Sequence, residues 1–136
     1  TGGAGSDVFA WRFADQGTAG AGRALDTITD FSVAPVAQGG DVLDLRDLLV
    51  GEAKGAGDTL GNLANYLDIT VVNGSTEIRV STTGGFTGGN YGTGAAEDQR
   101  ITLTGVNLST SLVPGQTLTE TQIIENLLKG GKLITD

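Results

Sequence analysis

Gly2-Gly3-Ala4-Gly5-Ser6-Asp7-Val8-Phe9-Ala10 is the stretch on which the reading of this chain turns. It fits a nine-residue pattern, G-G-x-G-x-D-x-U-x, with two halves of different character. The glycine-rich half, Gly2 to Asp7, predicts a tight turn, because only glycine takes a left-handed backbone without strain. The turn offers oxygen atoms: carbonyls, those of Gly3 and Gly5 among them, and the Asp7 carboxylate. Calcium takes six to eight oxygen ligands in flexible geometry and mixes carbonyls with carboxylates. The second half, Val8-Phe9-Ala10, reads as a short strand with Phe9 turned to the core. One turn cannot complete a calcium shell, since the ion of such a repeat sits between stacked turns. A single repeat at the edge of the sequence fits a piece of a longer protein with more repeats upstream. Downstream carboxylates at Asp15, Asp26, Asp30, Asp41 and Asp44 are also available as ligands. The plainer reading of each is a turn, strand-end or capping carboxylate.

The rest of the composition agrees with an acid-rich, glycine-rich chain. Of 136 residues, 23 are glycine, 16 are Asp or Glu and only 8 are Lys or Arg, for a formal net charge of -8. Eleven of the acids are Asp, and seven of those fall within the first 47 residues. Packing such carboxylates together would be repulsive without a cation. There is no His, Cys or Met. The usual zinc sites, a thiol nucleophile, a Ser-His-Asp triad and a disulfide framework are therefore excluded, and no enzymatic activity is expected. The acid excess argues against a nucleic-acid partner. No apolar run approaches the ~20 residues that span a bilayer, so no membrane insertion is expected, and no signal peptide opens the sequence.

Strands are predicted at Val8 to Phe13, with Phe9, Trp11 and Phe13 on one face, at Asp26 to Phe31, and at Asp41 to Leu45. Arg46 to Val50 reads as a turn or short helix. Asp58 is placed as the cap of a helix carrying Leu60, Leu63, Ala64 and Leu67, at i, i+3, i+4, i+7 spacing. Asp68 to Val72 and Glu77 to Ser81 flank Asn73-Gly74, a favoured hairpin turn. Gln99 to Val106 reads as a strand with Ile101 and Leu103 inward. Thr119 and Gln122 form a capping box before Ile123, Ile124, Leu127 and Leu128, with Gly130 as the stop and Lys132 to Thr135 as a last strand. The glycine-rich Gly84 to Gly94 segment lacks the G-K-[ST] of a phosphate loop. The scarce aromatics, Trp11, Tyr66, Phe86 and Tyr91, are assigned to the core rather than to a sugar platform.

Taken in order, these blocks resemble a known family. Gly2 to Phe9, then Asp26-Thr-Ile-Thr-Asp30-Phe31, then Gly40-Asp41-Val-Leu-Asp44-Leu45 are similar to the last repeat and tail of RTX proteins exported by type I secretion. Asn62 to Leu67, Ile78 to Phe86, Asp98 to Val106 and Ile123 to Ile134 are similar to the C-terminal target domain of large repetitive bacterial adhesins. The resemblance covers nearly the whole chain. It implies a mainly β fold: a short parallel β-roll turn running into a mixed β-sandwich with two short helices. It implies one domain over residues 1–136, with the terminal calcium-binding part at 1–45 and a β-rich secretion-signal part at 46–136. It implies calcium as cofactor, with Asp15 and Asp26 closing the last roll turn. The implied partners are an ABC transporter, a membrane fusion protein and an outer-membrane channel. The implied product is a secreted or cell-surface adhesin domain, monomeric in isolation. A calcium-dependent ligand-binding adhesion module is the alternative.

Overall fold

The computed structural model describes residues 1–53, 60–87 and 90–136. Among them the chain forms seven strands in two sheets, with two α-helices. In order these are β1 (Val8–Ala10), β2 (Ala24–Ile28), β3 (Val42–Asp44), β4 (Leu67–Val72), β5 (Ser75–Val80), β6 (Gln99–Leu103), α1 (Leu108–Ser111), α2 (Glu120–Lys129) and β7 (Leu133–Ile134). Phe13–Asp15, Val36–Gln38 and Leu63–Asn65 are single 3-10 turns.

The first sheet is parallel throughout, in the order β1-β3-β7, with Phe9 opposite Leu43 and Leu43 opposite Leu133. The second runs β2-β6-β5-β4, with β2 parallel to β6 and the other pairs antiparallel. Strands from the two ends of the sequence are therefore neighbours in both sheets. One aliphatic cluster joins Leu43 and Leu133 of the first sheet to Ile69, Ile78, Val80, Ile101 and Leu103 of the second. The apolar face of α2 (Ile123, Ile124, Leu127 and Leu128) belongs to the same cluster, and the helix touches both β4 and β7.

The hairpin follows from its turn. Val72 pairs with Ser75 across Asn73 and Gly74, which stand at φ of 50° and 76°. Positive φ at both central positions is the twist-compatible turn that Asn-Gly favours. A side chain added at Gly74 would meet no atom within 4 Å, so its cost is conformational alone. Gly74→Ala is expected to lose about 1 kcal/mol, read as a fall in Tm of about 4 °C.

The capping box of α2 is present in both directions: Gln122 N–H donates to Thr119 Oγ1 at 3.3 Å, and Thr119 N–H donates to Gln122 Oε1 at 2.9 Å. Glu120, in the first turn, accepts the N–H of Ile69 at 3.0 Å and so occupies a donor on the edge strand β4. Such edge donors otherwise invite pairing with another chain.

Two expectations are corrected. Leu60 to Leu67 is not a helix: Leu63–Asn65 is one 3-10 turn, and Leu67 already begins β4. The proposed Asp58 cap lies outside the described residues. The strand that begins at Val8 ends at Ala10, because Asp15 accepts the N–H of Arg12 at 2.7 Å and closes a turn there. Phe13 consequently does not continue the inward face and is 54% exposed, whereas Phe9 and Trp11 pack against the core. A short helix at Leu108–Ser111, capped by Asn107 through Ser109 N–H at 3.0 Å, was not expected.

Candidate metal centre

The Gly2 to Asp7 turn sits at the entrance to β1. Gly3 and Gly5 stand at φ of 99° and 108°, in the region that glycine alone enters freely. A Cβ at either would meet nothing within 4 Å, so their glycines answer to backbone conformation and not to crowding. Gly2 is different: a Cβ there would lie 2.5 Å from Asp7 Oδ2. The Asp7 carboxylate thus folds back onto its own turn. Its Oδ2 is shielded from solvent and has no hydrogen-bond partner. A buried, unsatisfied carboxylate oxygen is costly unless something else meets it.

The other candidate acids hold the turn through its N–H groups. Asp30 accepts from Gly2 at 3.1 Å and from Gly3 at 3.0 Å. Those bonds, that from Gly3 first, hold the Asp30 carboxyl below its usual range. Asp41 is almost fully buried; its Oδ1 accepts from Asp7 N–H at 2.9 Å and its Oδ2 from Ser32 N–H at 2.8 Å. Ser6 Oγ donates to the Gly40 carbonyl. Asp7, Asp30 and Asp41 are therefore brought to one turn. Asp7 keeps an oxygen free, while Asp30 and Asp41 each spend both oxygens on N–H donors.

Asp15, Asp26 and Asp44 are engaged elsewhere. Asp15 closes the Arg12 turn. Asp26, on β2, accepts from the Trp11 indole N–H at 2.8 Å and from Gln99 Nε2 at 2.9 Å, both at Oδ2. Asp44 makes a two-pronged pair with Arg46, Nε to Oδ1 at 2.9 Å and Nη2 to Oδ2 at 2.6 Å. That pair holds the Asp44 carboxyl below its usual range. Among the described residues no three acids converge at metal-ligand spacing. The eight candidates thus divide into a turn with one open carboxylate oxygen and a set of acids that brace it or its neighbours.

Two features escaped the sequence reading. Lys132 is 4% exposed, and its Nζ donates to the carbonyls of Ser32 at 3.1 Å and Asp41 at 3.3 Å. Burial lowers its pKa, with Asp41 acting against the shift. The second is a charge cluster on the other sheet. Glu97, fully buried, accepts from Arg100 Nε at 2.7 Å and Nη2 at 2.8 Å, and from the Tyr91 hydroxyl at 2.6 Å, and pairs with Arg23 at 2.7 Å. The Arg79 guanidinium lies 4.1 Å over the Tyr91 ring. The partners of Lys132 lie far back in the chain; Arg100 and Tyr91 are close to Glu97 in sequence and Arg23 is distant, and no local periodicity turns all three toward one carboxylate. A cleft of about 360 Å³ between Val33, Pro35, Leu112 and the end of α2 has Lys132 in its wall but none of the candidate acids. No protein-family model, curated protein or solved structure matches the chain.

Proposed function

We propose that this chain is the calcium-binding C-terminal secretion domain of a bacterial RTX adhesin, exported by a type I machinery and folded by calcium outside the cell. The observation that carries the reading is the shielded, partnerless Oδ2 of Asp7 in a turn built on left-handed Gly3 and Gly5. The donor set of this turn is all oxygen, which suits a hard cation. When bound, calcium supplies the positive charge that this carboxylate otherwise lacks. Asp7 and the carbonyls of Gly3 and Gly5 are the residues that would hold it. Asp30 and Asp41 keep the turn in shape by occupying its N–H groups. Asp15 and Asp26, which the family resemblance assigns to closing the shell, are instead bonded to the Arg12 N–H and to the Trp11 and Gln99 side chains, so the rest of the coordination would come from carbonyls, water or a neighbouring repeat. In this reading β1 and β3, parallel and in register, are turns of a short β-roll, and the four-stranded sheet with its helices is the body of the secretion-signal part.

Location then decides folding. Ligand that binds only the folded state stabilises it by RT ln(1 + [L]/Kd). Extracellular calcium modules have Kd values of roughly 10⁻⁴–10⁻³ M, well above cytosolic calcium. Inside, the acid-rich chain stays loose enough to thread the transporter, membrane fusion protein and outer-membrane channel; outside, millimolar calcium lets it close. The domain has no catalytic role in this scheme.

Calorimetric titration of the protein with calcium tests the reading. Binding near millimolar Kd is expected, weakened at least tenfold in Asp7→Ala; equal binding by both proteins, or none by either, rejects it. The alternative, a calcium-dependent adhesion module, is favoured by the exposure of Val8, next in sequence to the turn, and of Phe13, beyond the end of β1. Calcium-dependent retention on a glycan array would mark that activity.

A further inference from the structure

The calcium turn and the last strand of the chain are joined by one buried amine. Lys132 lies immediately before β7, and its own carbonyl accepts the N–H of Leu43 at 2.7 Å. Its Nζ grips the carbonyls of Ser32 and Asp41. Those are the two residues whose other groups meet at the Asp41 carboxylate: Ser32 N–H donates to it, and it accepts the N–H of Asp7 in turn. Asp7 is tied a second time, since its carbonyl accepts the N–H of Val42 at 2.8 Å. There is little slack: a Cβ on Gly40 would come within 2.5 Å of Nζ. A lysine this buried is costly unless its charge and donors are met. Here two backbone carbonyls and the nearby Asp41 carboxylate meet them.

Resting on the calcium reading, we infer that Lys132 is a positioning residue for the cation turn, and that it makes calcium binding at Asp7 and docking of β7 a single event. Lys132 does not touch the ion. It holds Ser32 and Asp41 so that the Asp41 carboxylate fixes the Asp7 backbone. Through the parallel ladder β1-β3-β7 the same lysine also fixes the C-terminal strand. Coupling of this kind is reciprocal: if docking of β7 tightens calcium binding, calcium must tighten β7 by the same factor. Calcium therefore strengthens the docking of the C-terminal strand, and that docking strengthens calcium binding, by one common factor.

Two measurements on the full chain test this. In the wild type, amide exchange with and without calcium reads the coupling directly. Calcium is expected to slow exchange at Leu43 and Leu45, whose N–H groups donate to the carbonyls of Lys132 and Ile134, along with Val42. Slowing confined to Val42 and the Gly2 to Asp7 turn, with Leu43 and Leu45 unchanged, overturns the coupling even though calcium binds. In Lys132→Met, calcium affinity followed by calorimetry and by Trp11 fluorescence is expected to fall about tenfold while the far-ultraviolet circular dichroism is kept. A folded Lys132→Met with wild-type affinity overturns the role of the lysine. Should that variant not fold, the exchange result on the wild type decides alone. A wild type that gives no calorimetric signal with calcium removes the calcium reading itself, and this inference with it.

Discussion

Glu97→Ala is expected to lower stability by about 3 kcal/mol, and Tm by about 10 °C. The carboxylate is fully buried, accepts hydrogen bonds from Arg100 on β6 and from Tyr91 in the loop before it, and pairs by charge with Arg23, which comes from the far side of the sequence just before β2. Removing it leaves two guanidinium groups without their partner. They remain about a quarter exposed, 22% for Arg100 and 24% for Arg23, and so recover some hydration. That places the loss at the low end of what breaking a buried pair costs. Burial alone would push the Glu97 carboxyl up, but the hydrogen bonds from Arg100 and Tyr91, with the charges of Arg100 and Arg23, outweigh it and the carboxyl sits below its usual 4.5. A carboxylate with a depressed folded pKa contributes stability that is complete above its unfolded value and fades as pH falls through the folded one. Stability of the wild type should thus fall below about pH 4.5, and Glu97→Gln, which does not titrate, should show a shallower decline. Equal acid slopes for the two proteins would remove Glu97 from the account. Asp68 and Glu120 act in the opposite sense, because burial raises both carboxyls and favours their protonated forms in the folded chain.

The contrast between that cluster and the hairpin shows which parts of the molecule are legible in its sequence. Asn73-Gly74 and the Thr119/Gln122 capping box are local devices: every atom they need lies within a few residues, so residue type alone predicts them. Ile101 and Leu103 were legible for the same reason, as alternation along one strand. Leu60, Leu63 and Leu67 were not. Helical spacing is all that a local reading sees there, whereas Leu67 is claimed by Val80 across the β4–β5 ladder and by the core. The short helix α1 likewise depends on a distant partner, Thr76 Oγ1, which accepts the N–H of Leu108 at 3.0 Å. The same division runs through the candidate site. The glycine turn and its Asp7 are local and were readable. What Asp30, Asp41 and Asp26 do was not, because their donors are Gly2 and Gly3, Asp7, and Trp11 and Gln99, brought in by sheet pairing. Acids that a count of charges presents as a repelling cluster are, in the fold, mostly spoken for by N–H groups.

Calcium is expected to raise the Tm of the wild type by about 5–10 °C between excess EGTA and ~10 mM calcium. For Kd of roughly 10⁻⁴–10⁻³ M, that concentration is worth about 1.4–2.7 kcal/mol by mass action, and a chain of this length shifts by about 4 °C per kcal/mol. Asp7→Ala separates the calcium account from a generic effect of charge. In EGTA the wild type carries a shielded carboxylate oxygen with no partner, so its removal should cost nothing and is expected to leave Tm equal or higher. In calcium the order reverses, because the variant has lost the shielded carboxylate oxygen that has no other partner, and it should melt several degrees below the wild type. Screening of the net charge of -8 by salt would shift both proteins alike and would be reproduced by magnesium or by raised sodium chloride. A crossing of the two melting series with calcium, absent with sodium, therefore identifies Asp7 as a ligand. Parallel shifts in the two proteins would show that the ion acts on the charge of the whole chain, and the glycine turn would then be only a turn.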